Sequence, residues 1–148
     1  MLCFKDLAIS FGNWYILVLD ILYCIKLEIV FLIVKEGILR VHPDLAGRIA
    51  EAGQLTLEST KEQSQAQLNT MTKEEKKIMI ELNARYKEKF GFPFVICARL
   101  NKKEAIFKGL EERYNHDLKR ELETGIDQVM RICEFRVKDI VMSSNSKL

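Results

Sequence analysis

The chain has 148 residues, room for one hydrophobic core and too few for two. Lys and Arg number 23 against 21 Asp and Glu, and a net charge of +2 is too small for the electrostatic footprint of a nucleic-acid binder. Four cysteines, Cys3, Cys24, Cys97 and Cys133, stand far apart without a C-x-x-C pair or Cys/His cluster, so they suggest neither a zinc site nor a disulfide framework and read as small buried hydrophobes in a reducing compartment.

Residues 1–34 differ in character from the remainder of the chain. The run NWYILVLDILYCIKLEIVFLIV is rich in Ile, Leu and Val, but Asp20, Lys26 and Glu28 interrupt it, so no charge-free stretch is long enough to cross a bilayer. A buried helix or strand is the simpler expectation, with a membrane-associated segment as the alternative. A signal peptide is disfavoured, because Lys5 alone makes a poor basic start and no small-residue cleavage site succeeds the apolar stretch.

From Lys35 the chain reads as successive helices. Thr72-Lys-Glu-Glu75 is a capping box: the Thr hydroxyl accepts the Glu75 amide while the Glu carboxylate returns to the Thr amide. Ile78, Met79, Leu82 and Tyr86 come next at helical spacing, and Gly91 suits the left-handed position beyond the last turn. Phe92 to Cys97 is a short apolar connector whose Pro93 resists helix at its predecessor, so it is expected to be buried or to line something apolar. Asn101-Lys-Lys-Glu104 opens the next helix by the same capping logic, with Ile106, Phe107, Leu110 and Tyr114 as its buried stripe and Asn115 as its end. Asp117 caps a final long helix that carries Leu118, Leu122, Ile126, Val129, Ile132, Cys133, Val137 and Ile140. The architecture expected is an all-α helical bundle over residues 35–145, with antiparallel neighbours and short connections.

The last three residues, Ser146-Lys147-Leu148, match a peroxisomal address that a receptor reads when the terminal carboxylate is free. They imply a peroxisomal matrix protein with an import receptor as partner, which argues against a membrane anchor at the other end.

Two readings compete over Val41 to Gln63. Locally, Ser59-Thr-Lys-Glu62 satisfies the capping-box pattern, His42 is a lone histidine of the kind usually satisfied within a fold, and Gly47 and Gly53 suit turns. On a helix starting near Ser59, however, residues 59, 62 and 63 share one face, as a binding site requires.

Taken together, His42-Pro43-Asp44-Leu45-Ala46-Gly47, then Gly53-x-Leu55-Thr56-x-Glu58-Ser59-x-x-Glu62-Gln63, then Glu81-Leu82-Asn83-x-x-Tyr86-x-x-Lys89-Phe90-Gly91-Phe92-Pro93-Phe94-Val95, resemble the 2-oxo-4-hydroxy-4-carboxy-5-ureidoimidazoline (OHCU) decarboxylase family from about Lys35 onward. The resemblance implies an all-α bundle, usually a homodimer, that forms (S)-allantoin in urate degradation without a metal or organic cofactor. It places His42 on the family's proton-donating histidine and Glu62 on the carboxylate that partners it. Pro43, Ser59, Thr60, Lys61 and Gln63 fall on substrate-binding positions, as do Phe94, Val95, Ile96, Cys97, Ala98 and Arg99. His116 matches no functional position and reads as a solvated helix-boundary residue. Two departures from the family stand out: the apolar segment 1–34 replaces the helices that normally precede the His-Pro-Asp motif, and Gln67 occupies a position where the family commonly has glycine. The alternatives are therefore a non-catalytic or poorly folding relative with an altered N-terminus, and a helical interaction or membrane-surface module.

The implied chemistry needs few groups. The substrate bears its carboxylate on a carbon next to an imine, so the electrons left by departing carbon dioxide can flow into the ring nitrogen. The protein must orient the carboxylate, stabilise the enol-like intermediate and deliver one proton to one face. A histidine near neutral pKa suits the delivery, and an adjacent glutamate would favour its charged form and fix which ring nitrogen faces the substrate.

Overall fold

A computed structural model describes residues 21–23, 25–26, 28–47, 50 and 52–145. Cys3, Cys24 and the tripeptide Ser146 to Leu148 lie outside the described residues. The chain divides into two compact units, Met1–Val34 and Lys35–Leu148. In the smaller, residues 28–34 are helical and expose Phe31 and Ile33. Among the described residues, no helix is long and apolar enough to cross a membrane, and no strand occurs.

In the larger unit residues 35–40 are helical, and beyond them lie α1 (Leu57–Gln65), α2 (Lys73–Phe90), α3 (Lys103–Tyr114) and α4 (Leu118–Asn145), with single 3-10 turns at Leu68–Thr70 and Ala98–Leu100. The helix α1 is capped three residues earlier than the Ser59 box suggests. Thr56 is the N-cap, its hydroxyl accepting the Ser59 amide at 3.2 Å, which leaves the Ser59 and Glu62 side chains for other work. The Thr72–Glu75 box forms as expected, with the Glu75 carboxylate accepting the Thr72 amide at 2.7 Å and also pairing with Lys103 at 2.7 Å. Those two contacts, Lys103 foremost, hold the Glu75 carboxyl below its ordinary range. Gly91 closes α2 at φ +79°.

Asn101 does not cap α3. Its amide instead donates to the Cys97 carbonyl at 2.9 Å, and the N-cap is Lys102, without a side-chain bond. Asp117 does cap α4, accepting the Arg120 amide at 2.8 Å. Gln67 sits in the left-handed region at φ +65°, which explains why a glycine suits this position and why a residue with a Cβ is strained there.

The core gathers Leu39, Met79, Tyr86, Phe90, Phe92, Phe94, Ile106, Leu110 and Leu122. The Tyr86 ring lies 4.7 Å from Phe90 and 5.3 Å from Phe94 in tilted and edge-on packing, so the apolar connector after α2 is buried as expected. Ile78, placed by spacing in the stripe of α2, is instead half exposed, and the burial falls on Met79, Asn83 and Tyr86. Gly125 admits the Leu39 side chain: a Cβ there would lie 2.9 Å from Leu39 Cδ1, so helix 35–40 packs directly onto the α4 backbone. Beyond Ile132 the stripe of α4 emerges, and Cys133, Val137 and Ile140 are exposed rather than buried.

One carboxylate is fully enclosed in this core. Glu121 accepts from Arg113 Nε at 2.9 Å and Nη2 at 2.5 Å, from the Tyr86 hydroxyl, and pairs with His116 Nδ1 at 2.7 Å. Burial, and then the neighbouring carboxylate, push the Tyr86 phenol well above its ordinary range, so it remains a donor. His116 is thus a largely buried member of this cluster rather than a solvated boundary residue. Arg113 Nη1 also donates to the Val95 carbonyl at 2.8 Å, tying the cluster to the connector. Substituting Glu121→Gln leaves the Arg113 guanidinium uncompensated in the core. It is expected to lower unfolding free energy by about 3–5 kcal/mol in urea titration, and a loss under about 1 kcal/mol would contradict this account.

Candidate active site

His42 stands in the turn after helix 35–40, and the loop it opens is held from two sides. Asp44 pairs with Lys87 Nζ at 2.9 Å and the Leu45 carbonyl accepts from Asn83 Nδ2 at 3.0 Å, both from α2. From α1, Gln63 Oε1 accepts the Ala46 amide at 3.1 Å and so supports the left-handed Ala46, at φ +49°. These bonds account for Asp44, Asn83 and Gln63 in the sequence pattern: each fixes backbone that carries His42. The His42 ring is oriented from its own helix, Nδ1 lying 2.9 Å from the Ile38 carbonyl. A carbonyl only accepts, so Nδ1 carries hydrogen and Nε2 is the end left for exchange with a ligand.

Glu62 and Gln63 are the two buried side chains of α1. The Glu62 carboxylate is gripped by Arg136 of α4 through two parallel bonds, Nε to Oε1 at 3.0 Å and Nη2 to Oε2 at 2.8 Å. Arg136 Nη2 also reaches Ser59 Oγ at 3.3 Å. The Glu62 contact, first of all, holds the Arg136 guanidinium above its ordinary range, so it stays charged. Arg99 Nε lies 3.9 Å from Glu62 Oε1 on the other side. The carboxylate's partners are therefore two arginines, and the expectation that it fixes the His42 ring is corrected: the Ile38 carbonyl does that.

His42 and Glu62 nonetheless open onto one cleft, together with Pro43, Leu45, Ser59, Gln63, Phe94, Val95, Ile96, Ala98, Ile132 and Arg136. The lining combines a few polar side chains with apolar ones, the usual composition of a small-molecule site. Gln63 uses its carbonyl oxygen on Ala46, which leaves its amide nitrogen as the donor for a ligand.

Four residues anticipated as substrate contacts have side chains off this cleft. The Thr60 hydroxyl donates to the Thr56 carbonyl at 3.0 Å, and its side chain borders a separate hollow with Ser64 and Lys76. Lys61 and Arg99 line a wider, outward-facing cleft with Thr56, Glu58 and Asp139. Cys97 is buried, its amide donating to Gln128 Oε1 at 3.0 Å, and burial pushes its thiol above the ordinary range. Conversely, Arg136 and Ile132 reach the cleft without being singled out for it by the sequence. Ile132 is visible only as part of an apolar stripe, and a lone arginine four residues later carries no local signal.

The chain is similar to known proteins. The family model described as OHCU decarboxylase matches residues 33–138. The chain is 50% identical over 107 residues to the 2-oxo-4-hydroxy-4-carboxy-5-ureidoimidazoline decarboxylase of Amia calva, covering 72% of this chain and 61% of that one. It is 48% identical over 114 residues to the enzyme of the same name from Xenopus laevis, covering 77% and 64%. It thus spans under two thirds of the length of both relatives. A solved structure, of OHCU decarboxylase in the presence of (S)-allantoin, superposes with a TM-score of 0.56 at 29% identity, over 69% of this chain and 63% of that one.

The ring geometry of His42 has a direct spectroscopic consequence. In 15N-resolved histidine spectra, the neutral ring of His42 is expected to be the Nδ1–H tautomer. A dominant Nε2–H tautomer would show that the Ile38 contact does not orient the ring.

Proposed function

Because this chain belongs to the OHCU decarboxylase family, we propose that it decarboxylates 2-oxo-4-hydroxy-4-carboxy-5-ureidoimidazoline to (S)-allantoin. The observation that carries the reading is the convergence of His42, Ser59, Glu62, Gln63 and Arg136 from three separate segments on one cleft with an otherwise apolar wall.

The roles derive from charge and position. Arg136 is the cationic group of the cleft and binds the substrate's anionic edge, while Gln63 and Ser59 donate to its carbonyl and ureido groups. The apolar wall from Phe94 to Ala98 excludes water around the ring. As the carbon–carboxylate bond breaks, carbon dioxide leaves and the electron pair passes into the adjacent carbon–nitrogen double bond. The protonated His42 then delivers its Nε2 proton to the ring carbon from one side, which fixes the configuration. Glu62 holds Arg136 at the cleft before the substrate enters, and Arg136 in turn reaches Ser59.

Two finer points belong to the same proposal. The active form is a homodimer, and Ser146-Lys147-Leu148 addresses the chain to the peroxisome through an import receptor. Sedimentation of the purified chain at monomer mass would sink the first, and unchanged localisation after removal of the tripeptide would sink the second.

The central test generates the unstable substrate in situ with urate oxidase and hydroxyisourate hydrolase and tracks allantoin by circular dichroism. The chain is expected to form the (S) enantiomer well above background, and His42→Ala to lose about 10²–10⁴-fold in rate. A parent chain that only matches the slow racemic background rejects the proposal.

A further inference from the structure

Glu62 has more positive charge around it than its hydrogen bonds use. Arg136 satisfies both of its oxygens, yet a second guanidinium waits behind it. Arg99 comes from the 3-10 turn after the connector, its side chain is 14% exposed, and its Nη2 is tied to Asp139 of α4. Its plane lies 5.5 Å over the Phe135 ring. The Nε atom is buried and has no hydrogen-bond partner, although it stands 3.9 Å from Glu62 Oε1. Buried N–H groups are rarely left unmade, and a shift of about 1 Å would bring this one into bonding range.

The cleft supplies a reason for such an arrangement. Among the described residues that line it, Arg136 is the sole Lys or Arg. A ligand carboxylate that takes the same two-point grip therefore competes with Glu62, since the Nε and Nη2 that form it are both occupied. If Arg136 turned to the ligand and nothing replaced it, Glu62 would be an uncompensated charge that is only 7% exposed, an arrangement proteins avoid at large cost.

We propose that Arg99 is a positioning residue, the reserve counter-ion that takes over Glu62 through its unpaired Nε when Arg136 engages a carboxylate-bearing ligand. This rests on the decarboxylase reading only in the identity of that ligand. The exchange keeps Glu62 paired at each stage and leaves the net charge of the cleft wall unchanged by ligand entry. Asp139 holds Arg99 in reserve without competing for Nε, since it takes a terminal nitrogen.

Two measurements test it, one of which needs no substrate. In the ligand-free chain, Arg99→Met and Arg136→Met are compared with the double variant by urea unfolding. Each single loss leaves Glu62 one cation, so the double variant is expected to lower the folding constant about tenfold or more beyond the product of the two single effects. Additive effects overturn the proposal. In steady-state assays, Arg99→Met is expected to raise KM about tenfold with kcat within about threefold, and Arg99→Lys to recover most of the loss because it restores the charge. A fall in kcat at unchanged KM, or no recovery by lysine, also overturns it. Strong coupling in a chain that makes no (S)-allantoin supports the role of Arg99 toward Glu62 while rejecting the decarboxylase reading.

Discussion

The enclosed carboxylate of Glu121 is the constraint around which the larger unit is organised. A charge with no solvent access must be met on every side, and Arg113, Tyr86 and His116 arrive from α3, α2 and the α3–α4 junction to do so. Meeting it sets three elements in register with α4. The same Arg113 continues to the Val95 carbonyl and lies 4.4 Å over the Phe94 ring. A structural charge thereby fixes the apolar wall of the cleft, and the precision of the site is inherited from the core.

The cleft is a second, smaller version of the same device. Glu62 is nearly as buried, and Arg136 and Arg99 meet it from α4 and from the turn that ends the connector. The two clusters differ in what they leave over. Around Glu121 the acceptors and donors close on each other, whereas around Glu62 one N–H stays unmade and Arg136 remains 37% exposed along its side chain. Closed networks rigidify, and a network with a spare donor next to an open cavity can be rearranged by a ligand.

Much of this is legible from local sequence. The Thr72–Glu75 box, the Gly91 stop, the Asp117 cap and the buried connector each depend on residues within a few positions of one another, and all four form. The Ser59–Glu62 box satisfies the same local rule and does not form, because Thr56 offers a cap one turn earlier and Arg136 claims the carboxylate. What the sequence hides has a common cause: the partners of Glu62, Tyr86 and Asn83 lie 74, 35 and 38 residues away, where no periodicity reaches. His116 reads wrongly from sequence because its helix-boundary position is plain and the burial of its partner Glu121 is not. The cleft residues nearest the motif, His42, Pro43, Ser59 and Gln63, are grouped by the family resemblance and lie together in space.

The notch at Gly125 bears on the spacing of α4. Leu39 sits in the notch three positions before His42, and Arg136 lies eleven residues beyond it on the same helix. Eleven residues make about three turns, so the notch and the cation share a face roughly 16 Å apart. The pair acts as a vernier: one contact sets the phase of a long rod, and the rod carries that phase to a point where a guanidinium must meet a carboxylate. Insertion or deletion of a single residue between positions 125 and 136 would swing Arg136 by about 100° around the helix axis, out of the cleft, while leaving every core contact above the notch untouched. Length in that segment is therefore held by the cleft as well as by the core, against which Ile126, Val129 and Ile132 pack.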